Sequence, residues 1–143
     1  MAGFVSAIDI VRKWEGCELK AYRDGGGQLT IGYGHTGVDV GETTVWTQEQ
    51  ANRRLQADID LASDAVRRRV GTALTPNQEA ALTSFVFNLG ESQFAKSTLL
   101  ARVNEGDHIG AALELVKWHH DNGKKIKGLL RRRLDEAAIY LTP

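Results

Sequence analysis

One cysteine in 143 residues excludes an intramolecular disulfide, so nothing ties the fold to an oxidising compartment. Cys17 reads as a small apolar filler near the exit of the first helix. No stretch reaches the roughly 18 uninterrupted apolar residues of a membrane span, and the opening run Met1-Ala2-Gly3-Phe4-Val5-Ser6-Ala7-Ile8 stops at Asp9. That run has no basic start and no cleavage-like site after it, so no signal peptide is expected and the chain is expected to accumulate in the cytoplasm. Repeats, low-complexity tracts and linkers are also missing. A chain with 42% hydrophobic residues and no disordered composition is expected to form one compact domain with a sizeable core.

A charge excess is lacking too. The formal net charge is zero, although residues 116–143 hold seven basic and three acidic side chains. Arg131-Arg132-Arg133 does not imply nucleic-acid binding, because one basic run in a neutral chain lacks the broad footprint and a reading motif. A basic C-terminal surface would favour an anionic cell envelope. His108, His119 and His120 do not suggest a metal: adjacent histidines on a helix point about 100° apart, and no further ligand cluster accompanies them. No cofactor is expected.

What is present begins at residue 15. Glu15, Asp24 and Thr30 fall within the short segment EGCELKAYRDGGGQLTIGYGHTG (15–37). Ile8, Val11, Trp14 and Leu19 are expected on one helical face, with Glu15 near that helix's end. Asp24 opens the run Asp24-Gly25-Gly26-Gly27 between two strand-like triplets, Ala21-Tyr22-Arg23 and Leu29-Thr30-Ile31, so a hairpin is expected there. Helix end, turn and second strand would converge on one rim. Two carboxyl groups so placed suit glycoside cleavage, in which one protonates the leaving oxygen and the other serves the opposite face of the ring.

Downstream the pattern is helical. Thr47-Gln48-Glu49-Gln50 is a capping box ahead of Ala51, Leu55, Ile59, Ala62 and Val66, which predicts one long helix over about 48–70. Thr75-Pro76-Asn77-Gln78 opens a strongly apolar helix through Leu82, Phe85, Val86 and Leu89 that Gly90 stops. Helices are expected at about 97–105, 107–119 and 128–141, the last after Gly123 and Gly128.

The pattern Glu15-Gly16, Leu19-Lys20-Ala21-Tyr22, Asp24 and Leu29-Thr30-Ile31-Gly32-Tyr33-Gly34-His35-Thr36-Gly37 resembles the active-site region of the phage-type lysozymes, glycoside hydrolase family 24. The resemblance continues through Leu74-Thr75-Pro76-Asn77-Gln78-Glu79-Ala80-Ala81-Leu82, Phe85-Val86-Phe87-Asn88-Leu89-Gly90 and Gly128-Leu129-Leu130-Arg131-Arg132-Arg133, nearly the whole chain. It implies an α+β, mostly helical, lysozyme-like fold: a small lobe with the active-site hairpin (15–46), a bridging helix (48–70) and a helical lobe (75–143) with helix 1 packed on it. The cleft would lie between the lobes.

By the same resemblance the protein would be an endolysin that hydrolyses the β-1,4 bond between N-acetylmuramic acid and N-acetylglucosamine of peptidoglycan. Glu15, Asp24 and Thr30 would carry the family's catalytic roles: Glu15 the general acid, Asp24 and Thr30 the residues that hold the attacking water. Inversion is implied, for which the two carboxyls stand about 6.5–9.5 Å apart. One of Arg131, Arg132 and Arg133 would face Glu15. His35 would pair with an acid on the long helix, Asp58 or Asp60. Gly34, Phe87, Asn88 and Trp118 are the expected substrate contacts, with Gly34 admitting backbone close to the sugar, while Trp14 and Trp46 are left to packing. A holin would be needed for release from the host cytoplasm, and the protein is expected to act as a monomer. A lytic transglycosylase, which needs the acid alone, and a catalytically silent wall-binding domain are the alternatives.

Overall fold

A computed structural model describes residues 5–121, 124–125 and 127–143. The expected helix-start signal at Gly123 and the residues Met1–Phe4 of the N-terminal run lie outside them. Ser6 caps the first helix, α1 (Ala7–Trp14), its Oγ accepting from the Asp9 N–H at 3.3 Å. The helix is shorter than its apolar spacing predicts: Glu15 is its extended C-cap, and Leu19 lies in strand β1 (Glu18–Arg23) rather than on the helical face. Gly16, a poor helix former, follows directly, and the chain beyond it is claimed by strand pairing.

β1 runs antiparallel to β2 (Leu29–Gly32), with Tyr22 opposite Thr30 and an irregularity between Glu18 and Tyr22. A third strand, β3 (His35–Thr36), pairs on the other side of β2, Ile31 opposite His35. Two residues carry no periodicity, which is why the sequence gives no sign of β3. The β2–β3 reversal uses left-handed backbone at Gly32 (φ 65°) and Gly34 (φ 75°), a region costly for residues with a Cβ.

Both capping boxes form. Thr47 starts α2 (Gln48–Arg69) and Thr75 starts α3 (Pro76–Leu89), each with reciprocal bonds to the N3 glutamine. The α2 residues Ala51, Leu55, Ile59, Ala62 and Val66 are buried, as their spacing requires, and Ala65 joins them. Gly90 ends α3 but does not end helical structure, because α4 (Glu91–Lys96) starts at once. Glu91 in its first turn is gripped by Arg68 at 2.8 Å and Arg69 at 3.1 Å from the end of α2. The helix expected at 97–105 is α5 (Thr98–Asn104); α6 is His108–Val116 and α7 is Lys127–Leu141. α6 stops short of His119 and His120, and His120–Asp121 (β4) pairs with Lys124–Lys125 (β5) instead.

α3 is buried on nearly every side and packs against α1, α2 and α7. Its Ala81, Leu82 and Phe85 join Val66, Phe94, Leu99, Val103, Leu115 and Tyr140 in the principal core. Val11, Leu55 and Ile59 form a smaller cluster where α1 meets α2, with Tyr33 and Phe87 against it. α1 is fastened from outside as well: Trp14 Nε1–H donates to Asp135 of α7 at 2.9 Å, and Lys13 reaches the same carboxylate at 3.1 Å.

Replacing Thr75 by Ala removes the hydroxyl that accepts from the Gln78 N–H at 3.1 Å. Thr75→Ala is expected to cost about 1 kcal/mol and to lower Tm by about 2–4 °C, measured by thermal unfolding. An unchanged Tm would contradict the cap's role.

Candidate active site

Glu15 stands where α1 gives way to extended chain, its N–H still bonded to Val11 O at 2.7 Å. Its side chain is one-quarter exposed and meets the nearly buried guanidinium of Arg132, Nη1–H donating to Oε1 at 3.0 Å. Of the three C-terminal arginines left open by the sequence, Arg132 is therefore the one that faces Glu15. The other oxygen, Oε2, lies over Gly34: a Cβ built there would be 2.8 Å from it. Gly34 thus makes room for the carboxylate as well as supplying the left-handed turn.

Asp24 is built into the hairpin turn. Its Oδ1 accepts from the N–H groups of Gly26 at 2.9 Å and Gln28 at 2.8 Å, the local pattern that suits Asp to turns. Among the described residues its Oδ2 accepts no hydrogen bond. Thr30 is almost fully buried, and its hydroxyl donates to Gln28 O at 3.0 Å. With that proton committed, the oxygen can serve an incoming water as acceptor.

Tyr22 stands on β1, two residues before Asp24. It is half-exposed and sits opposite Thr30 across the ladder, so the two side chains share a face of the sheet. Burial, then the carboxylates of Glu15, Glu18 and Asp24, push its phenol above the usual tyrosine range. The charges of both Glu15 and Asp24 thus bear on this one phenol. Sequence reasoning passed over Tyr22, although its position two residues before Asp24 on an alternating strand was a usable signal.

A hollow of about 480 Å³ is lined by Gly34, His35, Thr36, Arg54, Asp58, Leu61, Phe87 and Glu91, among others; Glu15 adjoins it through Gly34, while Asp24 and Thr30 do not line it. Gly34 and Phe87 both line this hollow. Asn88 is engaged elsewhere, its Oδ1 accepting from Arg133 Nη2 at 2.7 Å. Trp118 packs edge-on against Phe85 at 5.5 Å and lines a separate hollow with Glu114 and Lys117.

The wall formed by β3 is pinned to α2. His35 Nδ1 lies 2.7 Å from Asp58 Oδ2, Arg54 bonds the same carboxylate at 3.1 Å, and Nε2 faces Asp39 at 3.1 Å. Asp58 is thus the partner on the long helix; Asp60 instead accepts from Gln56. Trp46 tilts against the His35 ring at 5.5 Å and also fills the space over Gly32. Of the remaining histidines, His119 Nδ1 meets Val116 O at 2.6 Å and His108 Nδ1 meets the Tyr140 hydroxyl at 2.7 Å.

The model of one family, described as "Phage lysozyme", matches residues 12–136, a span containing every residue of this site. The chain belongs to the phage lysozyme family. It is 40% identical over 136 residues to the endolysin of Acyrthosiphon pisum secondary endosymbiont phage 1, with 92% of each chain covered. Among solved structures, the muramidase domain of SpmX from Asticaccaulis excentricus superposes with a TM-score of 0.88 at 35% identity, covering 100% of both chains. The lysozyme of Salmonella phage P22 gives a TM-score of 0.81 at 37% identity, covering 99% of this chain and 100% of that one. A phage lysozyme is a glycoside hydrolase, and its action is lysis of peptidoglycan. No helix among the described residues is long and apolar enough to cross a membrane.

The His35 clamp has a consequence for acid stability. The hydrogen bond from His35 holds Asp39 below the usual carboxylate range, and partial burial opposes this less strongly. A depressed carboxylate contributes stability above its unfolded value and loses it as pH falls through the folded one. Asp39→Asn is therefore expected to lower Tm at neutral pH, with the gap to wild type closing as pH drops below the ordinary carboxylate range. Solvent exposure of Asp39 keeps the effect small. A gap that stays constant in a Tm series from neutral to strongly acid pH would contradict the clamp.

Proposed function

We propose that this lysozyme cleaves the β-1,4 bond between N-acetylmuramic acid and N-acetylglucosamine by single-displacement hydrolysis with inversion. The observation that carries the reading is the pairing of Glu15 with Arg132 over Gly34, with Asp24 held in the β1–β2 turn and Thr30 on the strand that leads to Gly34. Glu15 is the general acid. Arg132 occupies Oε1, so the proton is carried on Oε2, the oxygen over Gly34, and passes from there to the leaving oxygen.

Water is held by Asp24 and Thr30. With Asp24 Oδ1 bound by two backbone N–H groups, Oδ2 takes the water's proton as general base. The Thr30 oxygen accepts the second water proton, since its own is committed to Gln28 O. A water donating to both turns a lone pair outward to the anomeric carbon, which a covalent nucleophile would not need in its first step. Gly34 and Phe87 contact the sugar at the cleft wall, Phe87 offering an apolar surface to a sugar face.

The same reading divides the chain into a hairpin lobe (15–46), a bridging helix (48–70) and a helical lobe (75–143) carrying α1. It makes the protein a monomeric endolysin, held in the host cytoplasm until a holin opens the route to the wall. A lytic transglycosylase would need Glu15 but no water-holding pair, so the presence of Asp24 and Thr30 favours hydrolysis.

Glu15→Gln keeps the shape of the side chain but cannot donate a proton. Turnover of peptidoglycan is expected to fall by about 10²–10⁴-fold or more with Tm close to wild type. Near wild-type lysis by the folded variant would remove Glu15 from the role of acid. Mass spectrometry of wild-type digests should give reducing ends, whereas anhydromuramic ends would favour the transglycosylase. NMR of the first-formed product should give the α anomer from the β-linked substrate; a β anomer would refute the role assigned to Asp24.

A further inference from the structure

Behind Arg132 lies a second carboxylate that never meets the cleft. Glu136 is completely buried, one helical turn beyond Arg132 and Arg133 on α7. Its Oε2 accepts from the Ser84 hydroxyl of α3 at 2.6 Å and lies 3.5 Å from Arg132 Nε. Arg132 Nη2 in turn donates to Ser84 Oγ at 3.3 Å and Ser84 O at 3.4 Å, while Nη1 meets Glu15. Ser84 Oγ is therefore a junction: it gives its proton to Glu136 and accepts from the arginine that holds Glu15.

This cluster is expensive to bury. Arg132 Nε, Arg133 Nε and Nη1 and Glu136 Oε1 lack aligned hydrogen bonds, although Arg133 Nε stands only 2.9 Å from Glu136 Oε1. Desolvation pushes Glu136 above the usual carboxylate range, and burial brings Arg133 down to about 10. Apolar side chains of similar volume often stabilise a core as well as or better than such a set, so packing alone does not account for it. What the set does provide is a fixed guanidinium at the back of the acid.

We propose that Glu136 and Ser84 are positioning residues for the hydrolase: together they lock the Arg132 guanidinium so that Nη1 meets Glu15 Oε1 and Oε2 is left to deliver the proton. The proposal rests on the reading of Glu15 as the general acid. Neither residue touches substrate. Loss of either lets the guanidinium rotate, and Glu15 then samples orientations from which it cannot reach the leaving oxygen.

A double-mutant cycle tests this. Glu136→Gln is expected to lower kcat about tenfold with KM unchanged, the pattern of a lost transition-state interaction. In an Arg132→Gln background the same change should alter kcat by less than about twofold, because a residue that acts through Arg132 has nothing left to act on. An equal loss in both backgrounds, or a loss confined to KM, would overturn the proposal. Should Glu136→Gln fail to fold, Ser84→Ala removes only the junction hydroxyl and should show the same dependence on Arg132 with a kcat loss of about threefold; undiminished kcat there would overturn it. Nitrogen-detected NMR supplies a readout independent of catalysis. Rotation of the Arg132 guanidinium should be slow in the wild type and faster in the folded variants, and unchanged rotation would overturn the clamp. A freed guanidinium with full kcat would overturn the positioning role, whereas failure of the Glu15 reading shows separately, as near wild-type lysis by the folded Glu15→Gln variant.

Discussion

The contact between Arg132 and Glu15 joins the two parts of the molecule that must agree for the site to exist. Glu15 is carried by the end of α1 and Arg132 by α7, which α3 separates in sequence and supports in space. The nearly buried guanidinium is held from behind by Ser84 and Glu136 and from the front by Glu15. Arg132 keeps Glu136 as a charge partner when Glu15 is neutralised, so the contact fixes the position of the acid more than it fixes stability. The docking of α1, the burial of α3 and the approach of α7 therefore all bear on one 3.0 Å hydrogen bond.

Opposite it, the second half of the site is made of backbone chemistry. The turn that reverses β1 into β2 spends one Asp24 oxygen on two peptide N–H groups, so the residue that shapes the turn also has its own carboxylate fixed by it. Gly34 permits the next reversal and clears space for Glu15 Oε2 at the same time. His35, one residue later, ties that reversal to α2 through Asp58. Through His35 the second reversal is thus attached outside its own turn, whereas Asp24 bonds only within its own.

Much of this was legible from side-chain pattern. The capping boxes at Thr47 and Thr75 announce helices that form as expected, because a cap is a local bond between residues three apart. The hairpin around Asp24 was legible for the same reason. Features set by tertiary contact were not. Leu19 fits a helical face in spacing, yet pairing with β2 draws it into a strand. α4 follows a glycine that usually stops a helix, and its Glu91 is gripped by arginines more than twenty residues earlier. Among Arg131, Arg132 and Arg133, only the packing of α7 decides which side chain reaches Glu15. Glu136 carried a readable signal, three and four residues after two of those arginines, but nothing local says that it is buried. Trp118 could have served a sugar as well as a core, and the structure packs it on Phe85, away from the cleft wall formed by Gly34 and Phe87.

The central claim is that Glu15 on one side and Asp24 with Thr30 on the other flank the bond that breaks. A crystal structure of the Glu15→Gln variant with a bound peptidoglycan tetrasaccharide tests it most directly. The account predicts the scissile oxygen within hydrogen-bonding distance of the side chain at position 15, and a water on the opposite face of the ring shared by Asp24 and Thr30. A sugar chain bound with its glycosidic oxygen away from position 15, or with Asp24 itself packed against the anomeric carbon and no room for a water, would contradict it.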